Sequence, residues 1–152
     1  MTVETTLHIG REAAGRIAEI CEKRGIRKAA LISALVRFAS GRMRPLPEGW
    51  LRVKYQQRRE KKEWRCLHLA VMPDEYEFFG DMRKVQRLSV SFIVAFAVEH
   101  FLDEMMETIG EDTDNYRYQN YLIAQFILGD VVCWVHCWGI PPGITSAEPS
   151  PD

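Results

Sequence analysis

The sequence predicts a mostly α-helical protein that carries one two-stranded antiparallel ribbon. Two strand-like stretches, "VETTLHI" at residues 3–9 and "WRCLHLAV" at residues 64–71, alternate apolar and polar side chains. Each stretch is followed by two segments with helical spacing of apolar residues. These helical segments align without a gap at an offset of 62 residues. We therefore expect one strand-helix-helix unit to occur twice in the chain.

The first unit begins with a half-buried strand. Its inward side chains are Val3, Thr5, Leu7 and Ile9, and its outward side chains are Glu4, Thr6 and His8. A short helix follows and stops at Gly25, just after the cations Lys23 and Arg24, which suit a helix C-terminus. A second helix covers about residues 28–40 and ends near Gly41. The apolar residues that these two helices bury are Ala14, Ile17, Ile20, Cys21, Leu31, Ala34, Leu35 and Phe38.

The second unit has the same pattern. Its strand buries Leu67, Leu69 and Val71 and exposes Cys66, His68 and Ala70. Pro73 opens its first helix, because proline is tolerated in the first turn, and Ser89 is a good N-cap for its second helix. The apolar faces of these helices comprise Tyr76, Phe79, Met82, Ile93, Phe96, Ala97, His100 and Phe101.

The offset of 62 residues rests on apolar positions rather than on identical residues. The aligned pairs are Leu7 with Leu69, Ile9 with Val71, Ile17 with Phe79, Ile20 with Met82, Ile26 with Leu88, Leu31 with Ile93, Ile32 with Val94, and Val36 with Val98. Strand, turn and both helices agree in this one register, which chance periodicity explains poorly.

Charge divides the chain into a basic and an acidic part. Residues 1–65 carry 16 Lys or Arg against 7 Asp or Glu, whereas residues 66–152 carry 4 against 14. A basic part favours contact with a polyanion, although the two parts could also simply neutralise each other in the fold. The N-terminus has no secretory pattern, so we expect the four cysteines to be reduced thiols in a cytoplasmic protein.

A basic linker, residues 42–63, joins the two units. It forms the larger part of a 26-residue stretch, residues 40–65, with nine Lys or Arg and three Glu. A run of cations lies immediately before the second strand, where it could contact phosphates: Arg58, Arg59, Lys61, Lys62 and Arg65. The alternative is a solvated charged linker with no partner.

Beyond residue 108 the two-unit pattern ends. Residues 109–140 are interpreted as a helical extension that starts near Thr113 or Asp114, and residues 141–152 as a disordered tail. Polar residues interrupt the apolar run from 121 to 138, so we expect it to be buried against the two units or in a homodimer contact, not in a membrane. Cys133, His136 and Cys137 could be zinc ligands, but a closed site needs four, and an aromatic core is the preferred interpretation.

Strand, helix, tight turn and helix over about 35 residues resemble the ribbon-helix-helix family of the MetJ/Arc/CopG type. The resemblance covers about residues 3–40 and 64–105 and includes the turns "RGIRKAALISALV" and "QRLSVSFIVAFAV", which are similar to the family's Gly-(Ile/Val)-Ser-Arg-Ser-Glu-Leu-Ile turn. It implies a tandem pseudo-dimer, with unit 1 at 1–41 and unit 2 at 64–108. A spirochaete protein family of unassigned function is also similar in its two-part organisation.

The family resemblance implies two DNA-contacting features. Ribbon side chains would read base edges, which places Thr6, His8, Cys66 and His68 in that role, together with Glu4 and Ala70. These positions lack the Arg, Lys, Asn or Gln that direct readout prefers, and this is a departure from the family pattern. The start of each second helix would hold a phosphate, at Ser89, Val90 and Ser91 and at Arg27 and Lys28. Ser89 could equally be an ordinary helix cap.

The resemblance therefore implies a sequence-specific DNA-binding transcriptional regulator whose partner is double-stranded DNA. The competing hypothesis is a protein-interaction module of the antitoxin type, which keeps the fold but binds a protein partner through its acidic C-terminal part. We predict no enzymatic activity and no cofactor, because the sequence has no nucleophile motif and no glycine-rich phosphate loop.

Overall fold

The computed structural model describes residues 1–43, 52–109 and 121–138. The chain divides into two compact units, residues 1–113 and residues 114–152. Within the described residues, the first unit combines a two-stranded sheet with five α-helices, and the second holds a separate two-stranded sheet. The protein is thus mixed in secondary structure rather than mostly α with a single ribbon.

The first sheet is an antiparallel ribbon of β1 (Val3–Gly10) and β2 (Trp64–Val71). Its register places Thr6 opposite His68 and Leu7 opposite Leu67. The alternation predicted from the sequence is confirmed on both strands. Leu7, Ile9, Leu67, Leu69 and Val71 are buried, whereas Glu4, Thr6, His8, Cys66, His68 and Ala70 are exposed.

Two helices follow β1, and their predicted ends are confirmed. The first, α1 (Arg11–Arg24), ends at Gly25, whose φ of 65° lies in the left-handed region that glycine adopts without steric cost. The second, α2 (Lys28–Ser40), has nine consecutive buried residues from Leu31 to Ala39. A helix that is buried on every side must lie at the centre of its domain, and α2 packs against β2 and four other helices.

Three helices follow β2: α3 (Pro73–Gln86), α4 (Val90–His100) and α5 (Leu102–Ile109). At the start of α3 the Glu75 carboxylate accepts a hydrogen bond of 2.8 Å from the Met72 N–H. The predicted N-cap of α4 is confirmed, because the Ser89 hydroxyl accepts a bond of 3.2 Å from the Phe92 N–H. The chain leaves the helical path at Phe101, which separates α4 from α5.

The core of the first unit lies between the inner face of the ribbon and the helices. Its largest fully buried side chains are Ile9, Ile17, Leu31, Ile32, Leu35, Val36, Phe38, Val71, Phe78, Ile93, Leu102 and Met105. Each such side chain contributes roughly 1.5–3 kcal/mol through burial. Two predicted core positions are wrong: the Tyr76 side chain is 49% exposed, and His100 is also exposed because α4 turns that part of its surface away from the core.

The predicted C-terminal helix over 109–140 is wrong in its described part. Residues 121–138 form a β-hairpin of β3 (Tyr121–Leu128) and β4 (Val131–Trp138). The loop is Gly129-Asp130, with a φ of 63° at the glycine, and Gly-Asp between two β-branched runs is a hairpin signal. The apolar run therefore reflects paired strands rather than a buried helix. Residues 110–120 and the tail, 141–152, lie outside the described part of the chain.

None of the helices that the structure describes combines the length and the apolar character needed to span a bilayer.

Candidate nucleic-acid interface

The outer face of the ribbon is a narrow polar surface. Three cross-strand pairs form it: Glu4 with Ala70, Thr6 with His68, and His8 with Cys66. Side chains directly opposite each other in an antiparallel pair lie about 4.5–5.5 Å apart at Cβ. The Cys66 Sγ and the His68 Nε2 are also in contact, at 3.7 Å. The structure thus brings the four predicted ribbon residues together on one exposed face.

This face offers single hydrogen bonds rather than paired ones. The Thr6 hydroxyl and the two imidazoles can each donate or accept one bond to a base edge. None of the six outward side chains is an Arg, Lys, Asn or Gln, and bidentate contacts from those residues supply most discrimination between bases. Glu4 would also repel nearby phosphates. The face thus carries little base-reading chemistry.

One end of the ribbon is strongly basic. Beside the β1 end and the β2 start, the cations of the predicted run are all exposed: Arg58, Arg59, Lys61, Lys62 and Arg65. A short 3-10 turn over Lys61–Glu63 orders this segment, in which the Glu60 N–H donates to the Glu63 carboxylate at 3.2 Å. Among the ion pairs of the described residues, one involves this run of cations: Lys62 Nζ lies 3.3 Å from a Glu60 oxygen.

Arg59 and Trp64 attach the basic turn to the ribbon. The Trp64 indole N–H donates to the Arg59 carbonyl oxygen at 3.2 Å, and the Arg59 guanidinium lies 5.6 Å from the Trp64 ring centre. A Cβ at Gly10 would lie 2.6 Å from Arg59 Nη1, so this guanidinium rests directly against the β1 backbone. The segment is therefore attached to the ribbon end at Arg59.

The opposite end of the ribbon is acidic. There the Val3–Val71 pair leads into α3, whose first turns carry exposed Asp74 and Glu77, and Glu4 lies on the outer face. The two ends of the ribbon thus carry charge of opposite sign. A polyanion that lies across this face would be attracted at the basic end and repelled at the acidic end.

The start of α4 is partly covered by the linker. Lys54 pairs with the turn before α4: its N–H donates to the Arg87 oxygen at 2.8 Å, and its oxygen accepts from the Ser89 N–H at 2.9 Å. The Ser91 hydroxyl accepts from the His8 N–H at 3.1 Å. The Ser89 N–H is therefore already bonded, which leaves Val90 and Ser91 to supply any backbone contact to a phosphate.

The start of α2 has a different character. Arg27 occupies the N-cap position in extended conformation, and no side chain caps the helix there. Both Arg27 and Lys28 are exposed, and the first turn has no acidic residue. Unpaired N–H groups, the helix dipole and two cations together favour an anion at this position.

The sequence predicted that part of the linker packs, from Trp50, Leu51, Val53 and Tyr55, but it did not predict that this part docks on the ribbon edge. The Gln56 amide donates to the His8 oxygen at 2.9 Å, and the Tyr55 hydroxyl accepts from Arg83 at 2.9 Å. Together with Lys54, these residues hold the linker along β1 and the turn before α4. Val53 and Tyr55, two positions apart among charged and polar residues, carry that signal in the described part of the linker, whereas Trp50 and Leu51 lie outside it.

The other site chemistry in the described residues is limited. No group of three or more His, Cys, Asp or Glu side chains there is arranged to hold a metal ion. Cys133 belongs to this part of the chain, whereas the side chains of His136 and Cys137 lie outside it. A shallow groove of about 500 Å³ between α1 and α5 has mixed charge, and the Arg16–Asp103 ion pair of 3.1 Å lies on it.

The strongest candidate site is therefore the outer face of the ribbon with its basic end and the two helix starts. No family model, no curated protein and no solved structure matches this chain.

Proposed function

We propose that this chain is a DNA-binding transcriptional regulator that inserts its ribbon into the major groove of double-stranded DNA. The observation that carries the proposal is the exposed outer face of the ribbon next to five exposed cations at one end. A two-stranded ribbon fits the major groove, which is about 12 Å wide. Its inner face is closed by the helical core, so only the outer face is free to contact a partner.

This function assumes a tandem ribbon-helix-helix arrangement, which the equivalences between the two units support. Both α1 and α3 have 14 residues and begin 62 positions apart, and α2 and α4 also begin 62 positions apart. Left-handed residues end both first helices, at Gly25 and at Arg87. In the ribbon, Thr6 lies opposite His68, which is its equivalent residue 62 positions later. A two-fold axis between two equivalent strands requires that equivalent residues face each other at the centre of the ribbon.

Phosphate contacts would supply most of the affinity. The basic end of the ribbon and the Arg27–Lys28 pair at the start of α2 would contact the backbones that flank the groove. Each phosphate that a Lys or Arg neutralises releases counterions, so binding should weaken steeply as salt rises. Base discrimination would come from Thr6, His8 and His68, with Arg65 reaching from the ribbon end.

The test is selection of the full chain on a pool of random duplex DNA at two salt concentrations, followed by sequencing. An enriched motif together with salt-sensitive retention is the expected result. Retention without a motif would support DNA binding and remove the claim of sequence specificity. No retention even at low salt would overturn the proposal.

A charge-matched pair of variants locates the interface. Replacing Arg58 and Lys61 by Ala should weaken binding by roughly tenfold at low salt and reduce the slope of log affinity against log salt by about 2. The control replaces Lys23 and Lys84, which are exposed on α1 and α3, and changes the net charge equally. Equal losses in both variants would show that only the overall charge matters.

Replacing the two ribbon imidazoles tests whether they discriminate between base sequences. His8→Ala and His68→Ala should reduce discrimination between the selected site and a scrambled site while nonspecific binding changes little. If neither substitution alters discrimination, the ribbon face does not read bases.

A protein-interaction module of the antitoxin type is the second candidate. The outer ribbon face favours it, because none of the six side chains there can make a bidentate base contact and Glu4 is acidic. Exposed acids on α5, at Asp103, Glu104 and Glu107, would then meet a basic protein. Failure of the DNA selection together with a salt-sensitive protein complex that Glu107→Gln weakens would establish this alternative.

A further inference from the structure

We propose that the β3–β4 hairpin is a self-association surface that binds the same hairpin of a second copy of this chain, face to face. The proposal is independent of DNA binding. It rests on the composition of the two hairpin faces, on their exposure, and on the surface that the rest of the described chain offers.

The two faces of the hairpin differ in polarity. The register pairs Phe126 with Cys133, Leu128 with Val131, and Gln125 with Trp134. Alternation then defines the apolar face by Ala124, Phe126, Leu128, Val131, Cys133 and Val135. The second face holds Gln125, Ile127, Val132 and Trp134. Burial of the second face would remove the Gln125 amide from water, whereas burial of the apolar face carries no such cost.

The large side chains of the apolar face are exposed in the single chain, whereas Ala124 and Cys133 are half-buried. Phe126 is 45% exposed, and Leu128 and Val131 on the same face are more so, at 67% and 60%. An isolated two-stranded hairpin is at best marginally stable in water, and contiguous exposed apolar side chains mark an interaction site. The strands carry no charged residue; Asp130 in the loop is the only charge between residues 121 and 138. Like-charge repulsion between strand side chains therefore does not oppose contact between two copies of this face.

A second copy is the occupant that matches this surface. A neutral apolar face calls for a neutral apolar partner, and neither DNA nor a charged protein surface provides one. In the described part of the first unit, the exposed large apolar side chains are only Met1, Tyr55, Met72 and Tyr76. The hairpin is therefore the one extended apolar surface among the described residues, and its apolar face can pack against the same face of a second copy about a two-fold axis.

The size of the face sets the expected strength. Eight-residue strands extend about 26 Å, and two strands are about 10 Å wide. Each face then has a flat area of about 260 Å², well below the roughly 800 Å² per partner of a standard stable interface, so we expect a weak dimer with a dissociation constant of about 100 μM.

The experiment is sedimentation velocity of the full chain over a concentration series, comparing wild type with Phe126→Asp and Ile127→Asp. These neighbours lie on opposite faces, and Ile127 is the more exposed, at 72%. We expect a wild-type dimer, a dissociation constant raised at least about tenfold by Phe126→Asp, and little change from Ile127→Asp. A wild type that stays monomeric to millimolar concentration, or equal effects of the two substitutions, would overturn the proposal.

Cross-linking tests the same contact with an intact apolar face, in case Phe126→Asp unfolds the hairpin. A chain with Cys21, Cys66 and Cys137 replaced by Ala keeps Cys133 on the apolar face. Its matched control has Cys133→Ala and Val132→Cys, which moves the thiol to the second face. A short bis-maleimide should link two chains through Cys133 and not through the control position. Links at the control position alone, or at neither position, would contradict the proposed packing.

Discussion

The two strand-helix-helix segments, residues 3–40 and 64–100, have the same element order but differ in how deeply their second helices are buried. Nine consecutive residues of α2 are buried, whereas only Ile93, Val94, Ala97 and Val98 of α4 are. The ends of α4 also carry the Ser89 cap and the exposed His100. One arrangement of elements can thus be built from a helix that forms the centre of the core and a helix that covers it.

The segments differ again at the turns between their helices. Gly25 and Arg87 both adopt the left-handed conformation, with φ of 65° and 56°. Only glycine does so without steric cost, so the second turn holds strain that the first lacks. The next helix starts with an uncapped Arg27 in one segment and with a capping Ser89 in the other. The second segment therefore has both a strained turn and a capped helix, whereas the first segment has neither.

The largest difference should appear when a phenylalanine of each second helix is truncated. Phe38→Ala should destabilise the fold by about 3–5 kcal/mol, because its side chain in α2 is 1% exposed. Phe96→Ala in α4 should cost clearly less, since Phe96 is half-buried. Urea unfolding of both variants measures the two free energies. Equal losses would mean that α2 is not the central helix.

The glycine turn should be more sensitive than its counterpart. Gly25→Ala should destabilise by about 1–2 kcal/mol, because a side chain is disfavoured at positive φ. Arg87→Gly should relieve the steric cost of a side chain at positive φ, but it also removes side-chain contacts and makes the unfolded chain more flexible. The free energy of unfolding should therefore change by less than about 1 kcal/mol. Thermal unfolding compares them, and a larger effect at Arg87 would reverse this assignment.

Changes in the capping of the second helices should alter stability by a still smaller amount. Ser89→Ala removes the acceptor of the Phe92 N–H and should cost about 1 kcal/mol. Arg27→Ser introduces a capping side chain where none exists and should stabilise by roughly 0.5 kcal/mol. Chemical unfolding resolves both changes. The same Arg27 substitution should weaken DNA binding if this helix start holds a phosphate, which separates its two roles.

The smallest expected difference is in the reactivity of one thiol from each segment. Burial raises the pKa of the Cys21 thiol on α1, although nearby Lys28 acts in the opposite direction. A raised pKa leaves less thiolate at neutral pH, so Cys21 should react with iodoacetamide more slowly than the exposed Cys66. Peptide mass spectrometry at several pH values should show the Cys21 rate rising as pH approaches its raised pKa. Faster labelling of Cys21 at neutral pH would contradict its burial.

The sequence by itself determined the elements that depend on local spacing. Alternation along β1 and β2 predicted which residues are exposed, Gly25 predicted the end of α1, and Ser89 predicted the start of α4. These features follow from backbone and neighbour preferences within a few residues, so a single chain segment contains the necessary information. The candidate ribbon face was predictable for the same reason.

Only the tertiary structure decided the features that depend on distant partners. The hairpin at residues 121–138 is an intermediate case, because a continuous apolar run is compatible with a helix or a strand and only the local Gly129-Asp130 signal favours strand pairing. Lys54 and Gln56 dock on the turn before α4 and on β1 through hydrogen bonds that span more than thirty residues. The exposure of His100 likewise depends on how α4 is oriented against its neighbours. Such contacts form between residues far apart in the chain, and local composition does not encode which partner is met.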